Sequence, residues 1–241
     1  MQRRRPVAPA LAVAVLAVAA TLAMTLSGCA VVRTINNVRH AVDNNRATIK
    51  AFTTGLKSSE ATAFEATYVT SGGTPTTVTY AVQPPKDVAF SQIATGSGGG
   101  SGDLDLTSNS MGEYSCTSAS ASSGWTCQKL NKAEAIAQNE LVGLYTPSHW
   151  VTFLDTFAFA AGVAGDKVTT SSLTINGYAM NCVDFRAKGV KGLSTICTTQ
   201  QNILGYVKVA GEATSFEIKS YSSSPSASLF QLPAGAKITS S

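Results

Sequence analysis

Five cysteines carry most of the reactive chemistry in this sequence, and position divides them into one and four. Cys29 closes the run Leu26-Ser27-Gly28-Cys29, an aliphatic residue and two small ones ahead of a thiol. That is the pattern of the bacterial lipobox. Small residues let the chain enter the narrow cleft of a processing peptidase, and the thiol is the nucleophile that accepts a diacylglyceryl group. The residues before it fit the same reading. Arg3, Arg4 and Arg5 make a positive start, and an apolar run follows from Val7 through Leu11 and Val15 to Leu26. Such a run enters a translocon as a helix while its positive end stays behind. The rival is a permanent transmembrane helix ending in an ordinary cysteine. Against it, Cys29 sits where cleavage would fall, and removing it leaves an even number of cysteines. The expectation is therefore a signal peptide over 1–28, a lipidated tether over 29–34 and a domain over 35–241. The protein would be exported and held to the outer face of the bacterial cell membrane by acyl chains on Cys29. Each chain contributes about 0.8 kcal/mol per buried CH₂, so two or three anchor stably where one is marginal.

The other four, Cys116, Cys127, Cys182 and Cys197, read as disulfides in an exported chain. Three pairings exist. The local one, Cys116–Cys127 with Cys182–Cys197, is favoured because each pair brackets a turn, Thr117–Ser123 in one case and Lys188–Gly192 in the other. A zinc site would want far closer ligand spacing.

Other candidate chemistry is sparse. His40 and His149 are the two histidines, and neither has metal-ligand spacing or a Gly-x-Ser-x-Gly elbow for company. Asp103 and Asp105 share one face of an expected strand, and two exposed carboxylates explain them more simply than acid–base catalysis. The stretch Gly96-Ser97-Gly98-Gly99-Gly100-Ser101-Gly102 lacks the GK[ST] ending of a phosphate loop, and no helical pattern follows it. It is expected to be a hairpin tip. No enzyme activity, metal or cofactor is expected.

The chain has 241 residues, of which 213 follow Gly28, enough for one domain with a real core. The formal charge of +4 shrinks to about +1 without the three N-terminal arginines. No basic stripe remains, which speaks against a nucleic-acid partner.

The spacing of hydrophobic residues sets out the elements that must hold these groups. Ile35, Val38, Val42, Ile49, Phe52 and Leu56 recur at helical steps, with Asn36, Arg39, Asp43 and Arg46 opposite. The period then changes to two: Phe64, Ala66 and Tyr68 share a face, and 76–82 alternates likewise, predicting a hairpin. Pro84-Pro85 stops that strand and Asp87–Ala94 begins the next. A helix is expected over Lys132–Gly143 and another from Pro147, carrying Trp150, Phe153, Leu154 and Phe157. From Lys167 onward the pattern is β again, through Ser215–Tyr221.

This order resembles the LolA-like lipoprotein-carrier superfamily, including the actinobacterial LprG/LppX-type lipoproteins. Three features carry the resemblance. A helix precedes the Phe64-x-Ala66-x-Tyr68 strand, Gln83-Pro84-Pro85-Lys86 follows the second strand, and the chain closes with Phe230-Gln231-Leu232-Pro233-Ala234-Gly235-Ala236. The likeness runs from about Ile35 to Ile238, and the two cysteine pairs depart from the Gram-negative carrier. What it implies is an α+β domain: an incomplete antiparallel β-barrel, a half-barrel wrapped around an N-terminal helix and one or two central helices. It also implies an apolar cavity that takes a lipid or other apolar ligand. Phe64, Tyr68, Tyr80, Trp150, Phe153 and Phe157 are the candidates for its lining, with ordinary core packing as the competing explanation of each. The alternative function is an envelope interaction or stress-sensing module without a small ligand, its protein partner unknown.

Overall fold

A computed structural model describes residues 28–72, 75–94, 103–119, 123–186 and 191–240, with backbone alone at 28–34, 94, 140 and 240. Leu26, Ser27, the glycine-rich tip 96–102 and the side chain of Cys29 lie outside the described residues. None of the described helices is long and apolar enough to cross a membrane.

The first helix, α1, spans Gly28–Ser59, so the stretch 29–34 expected as a tether is helical. Val42, Ile49 and Leu56, seven residues apart, are its buried face. Ile35, assigned to that face by spacing, is 60% exposed. Two more helices, α2 (Lys132–Gly143) and α3 (Pro147–Ala164), occupy the expected places. Asn131 starts α2 with a capping box: its Oδ1 accepts from the backbone N–H groups of Ala133 and Glu134 at 3.0 and 3.1 Å. Glu134 Oε2 in return accepts from the Asn131 N–H at 2.9 Å. These bonds satisfy backbone donors that an uncapped helix start leaves open. Proline at the first position of α3 loses nothing, since that N–H has no helical partner anyway. Left-handed Gly165 (φ 78°) ends α3, with the Asp166 N–H donating to the Ala161 carbonyl at 2.8 Å.

Among the described residues, twelve strands form one open sheet. They are β1 (Phe64–Ser71), β2 (Thr76–Gln83), β3 (Asp87–Ala94), β4 (Asp103–Asn109), β5 (Gly112–Ser118) and β6 (Thr126–Lys129), then β7 (Thr169–Ile175), β8 (Tyr178–Phe185), β9 (Ser194–Thr199), β10 (Leu204–Lys208), β11 (Ser215–Ser222) and β12 (Lys237–Ser240). Their spatial order is β12-β6-β5-β4-β3-β2-β1-β11-β10-β9-β8-β7. Two antiparallel meanders thus run outward from the central β1·β11 pair, and the ends, β12 and β7, do not meet. The fold is α+β, as the sequence pattern implied, and an open half-barrel with helices, as the resemblance implied.

The α1 and α3 helices cross closely, because Gly162 presents no side chain. A Cβ there would lie 2.6 Å from the Val42 Cα. Asn45 completes the join. Its Nδ2 donates to the carbonyls of Ala158 (3.3 Å) and Asp166 (3.0 Å), and its Oδ1 accepts from the Val168 N–H (3.0 Å). One buried amide therefore ties α1 to the end of α3 and to the start of β7. Leu154, Ala158, Ile49 and Leu56 then pack on Val183, Ile196 and Val207 of the second meander.

The first meander has an additional cover on its far face. Residues after β11 turn back across it, and Phe230, in a short 3-10 turn at Ala227–Phe230, sits on Ala81 and Ala89. Those two alanines are direct cross-strand partners, and their small side chains leave the space Phe230 fills. Asn109 Nδ2 holds the Phe230 carbonyl at 2.8 Å. The strap ends in β12, which adds to β6 in parallel.

Candidate functional site

Both expected disulfides form, and each joins residues directly opposite in neighbouring strands. Cys116 faces Cys127 across β5 and β6, and Cys182 faces Cys197 across β8 and β9. Each lies one strand in from an end of the sheet. All four cysteines are buried. Two such bridges belong to an oxidising, extracytoplasmic setting.

A cavity of about 520 Å³ opens between the first meander and the helices. Tyr80, Val88 and Leu106 of β2, β3 and β4 form its apolar floor, since alternation turns these residues toward the helices. Val142 and Gly143 of α2 form the opposite wall. The mouth is polar: Ser108 and Glu113 from the sheet face Gln138, His149 and Thr152 from α2 and α3. Glu113 is the one carboxylate among the lining residues, and no lysine or arginine accompanies it. His149 reaches the mouth because it packs over Gly143 and edge-on to Trp150, with ring centroids 6.3 Å apart. At the inner end the Tyr80 hydroxyl lies 3.5 Å from the Thr146 hydroxyl. Burial raises the Tyr80 pKa, the Thr146 hydrogen bond pulls it back, and Glu60 adds to the rise.

Behind this floor the space is filled. Tyr145, between α2 and α3, inserts its ring among Tyr68 (5.4 Å between centroids), Phe90 (5.5 Å), Phe216 (5.6 Å) and Tyr80 (6.4 Å). Burial pushes the Tyr145 hydroxyl up to about 12. Tyr68 is raised further, by burial first and then by Tyr80 and Tyr145, and its hydroxyl has no hydrogen-bond partner among the described residues.

Of the six aromatics picked as candidate lining, Tyr80 borders this cavity. Phe64 and Tyr68 fill the aromatic core beside it. Trp150 is buried in the helix-side core and donates its indole N–H to the Leu144 carbonyl at 2.7 Å. Phe153 packs on that core, and Phe157 borders a separate recess of about 170 Å³ with Phe185. His40 is exposed on α1, whereas His149 lies in the first turn of α3. Asp105 lies on the strapped face, where burial raises its carboxyl against a lowering hydrogen bond from Ser91, with nearby Asp103 adding to the rise. Sequence pattern overlooked Val88, Leu106 and Val142, which read there as ordinary apolar positions. It overlooked Glu113 as well, since nothing local marks a carboxylate that ends at a cavity mouth.

A second cavity, about 470 Å³, lies between α1 and the far end of the other meander, bordered by Phe52, Thr170, Ser172, Asn181 and Thr198.

The sequence matches no protein-family model and no curated protein. Among solved structures it is similar to MucB at 11% identity and a TM-score of 0.48, over 78% of this chain. The chain spans 64% of the MucB chain. It is also similar to an uncharacterized conserved protein from Thermus thermophilus, at 6% identity and a TM-score of 0.45, over 80% of this chain and 98% of that one. Likeness this loose transfers no ligand and no partner to the present chain.

Proposed function

We propose that this protein is a lipid-anchored binding protein of the bacterial cell envelope, tethered through acyl chains on Cys29 and without catalytic activity. Its ligand is amphiphilic. The observation that carries this reading is the 520 Å³ cavity with an apolar floor and a polar mouth. Its volume falls in the range of about 300–1,000 Å³ usual for small-molecule sites. An apolar tail would lie on Tyr80, Val88, Leu106 and Val142. The polar end would meet Gln138, His149 and Glu113, a setting that suits hydroxyl, amide or cationic groups better than a strongly anionic one. Two disulfides accord with export. The lipobox supplies the anchor, and the anchor keeps the cavity near a source of amphiphiles.

The test is native mass spectrometry of the full chain, extracted in detergent from a bacterial host, followed by organic extraction. A noncovalent amphiphile at near-equal stoichiometry, lost when Leu106→Trp fills the floor, is the expected result. An empty cavity in both proteins would overturn the ligand reading. Cys29→Ala tests the anchor separately: it should abolish acyl labelling and leave uncut precursor.

A further inference from the structure

We infer that the free edge of β7 is a docking site for an extended, uncharged segment of a partner protein, added to the sheet as a further strand. The two ends of the sheet differ in the way that matters for such binding. Natural edges are blunted by shortness, by lysine, by proline or by a cover. At one end β12 is only four residues long and begins with Lys237. At the other end β7 has seven residues, Thr-Thr-Ser-Ser-Leu-Thr-Ile, with no charge, no proline and no bulge in its pairing to β8. Thr169 through Thr174 are all exposed. Among the described residues nothing pairs with the outer side of β7, so its alternate N–H and C=O groups point outward, free to bond.

The second cavity gives this edge selectivity. Register puts Thr170, Ser172, Asn181 and Thr198 on one face, opposite Thr48 and Phe52 of α1, and the slot between them is about 470 Å³. Strand addition uses main-chain hydrogen bonds for affinity and pockets beside the edge for side-chain choice. A strand laid along β7 would direct every second side chain toward this slot. Among the described residues no charged one borders the slot, so a charged side chain entering it would lose water without gaining a partner. The segment recognised is therefore β-prone and uncharged, with small hydroxyl or aliphatic side chains on the slot side. This site is separate from the cavity floored by Tyr80 and stands whether or not that cavity holds an amphiphile.

The probe is a synthetic peptide of alternating threonine and valine, matched to β7 in length, mixed with the full chain in detergent. Hydrogen exchange is followed strand by strand. Binding should protect β7 amides, Ser172→Lys should weaken it about tenfold, the effect of one desolvated unpaired charge, and Thr239→Lys on β12 should leave it unchanged. A peptide N-methylated at alternate amides should also bind about tenfold more weakly or worse, a result that does not depend on the folding of any variant. Absence of binding, or protection elsewhere than β7, would overturn the proposal. So would β7 protection that rises with protein concentration and no peptide, because the occupant would then be a second copy of this chain.

Discussion

The meander β1–β6 and the meander β7–β11 have much the same plan, down to a cross-strand disulfide one strand in from each end. They differ in what covers them. The first has its inner face filled largely by aromatic rings, with Tyr145 at the centre, and its outer face crossed by the strap that carries Phe230. The second is covered by two whole helices, α1 and α3, joined through Asn45 and the close approach at Gly162. Rings inserted one at a time leave a usable gap beside them, which is the cavity at Tyr80. A helix pair laid across strands leaves its gap at the rim instead, beside β7. One fold thus provides two cavities of similar size and different chemistry, because its two halves are closed by different means.

Four experiments would break or sharpen this contrast. The largest effect is expected from Tyr145→Ala, which should cost about 4 kcal/mol in chemical denaturation, as for other large aromatic truncations in cores. A loss under about 1 kcal/mol would mean that the aromatic half is not closed by that ring. Next are the bridges. Replacing Cys116 with Cys127, or Cys182 with Cys197, by serine pairs should each cost roughly 3 kcal/mol, because the two loops are alike in length. A large inequality would show that one meander is held by its coverings far more than the other. Third, Asn45→Ala should lower stability by about 2 kcal/mol, since it removes three hydrogen bonds made by one buried amide. Exchange protection should fall first at the start of β7 and the end of α3. The smallest effect is expected in alkali. Tyr68, Tyr80 and Tyr145 are raised from an ordinary 10.0 in the folded state, so the folded form disfavours their ionisation. Their contribution to stability is whole below pH 10, and the share that Tyr145 supplies is lost as pH rises through about 12. The aromatic meander should loosen first. Equal loosening of both halves in exchange measurements would count against the contrast.

Particular residues show how far local pattern carries. Helical spacing picked out Val42, Ile49 and Leu56, and the alternation of Phe64, Ala66 and Tyr68 gave the inward face of β1. The same spacing put Ile35 in the core, yet it is exposed, because burial depends on whether another element lies opposite. Asn45 reads as one more polar helix residue until α3 and Val168 arrive to use both ends of its amide. Ala81 reads as an outward position of a two-sided strand until Phe230, distant in the chain, settles on it. Tyr145 has no periodic signal at all, sitting between two helices, and its place among four rings is visible only in space.

By itself the sequence determined the elements, the face most of them bury and the pairing of four cysteines. These are local properties, read over a helical turn, a strand or a hairpin, where neighbours in the chain are neighbours in space. Tertiary structure alone decided that Glu65 pairs with Ser222 and Cys127 with Ile238, that the sheet stays open, and where its cavities lie. Such pairings bring together residues distant in the chain. Cavities are the space that packing leaves over, a property of all the surrounding elements at once and of no single stretch of sequence.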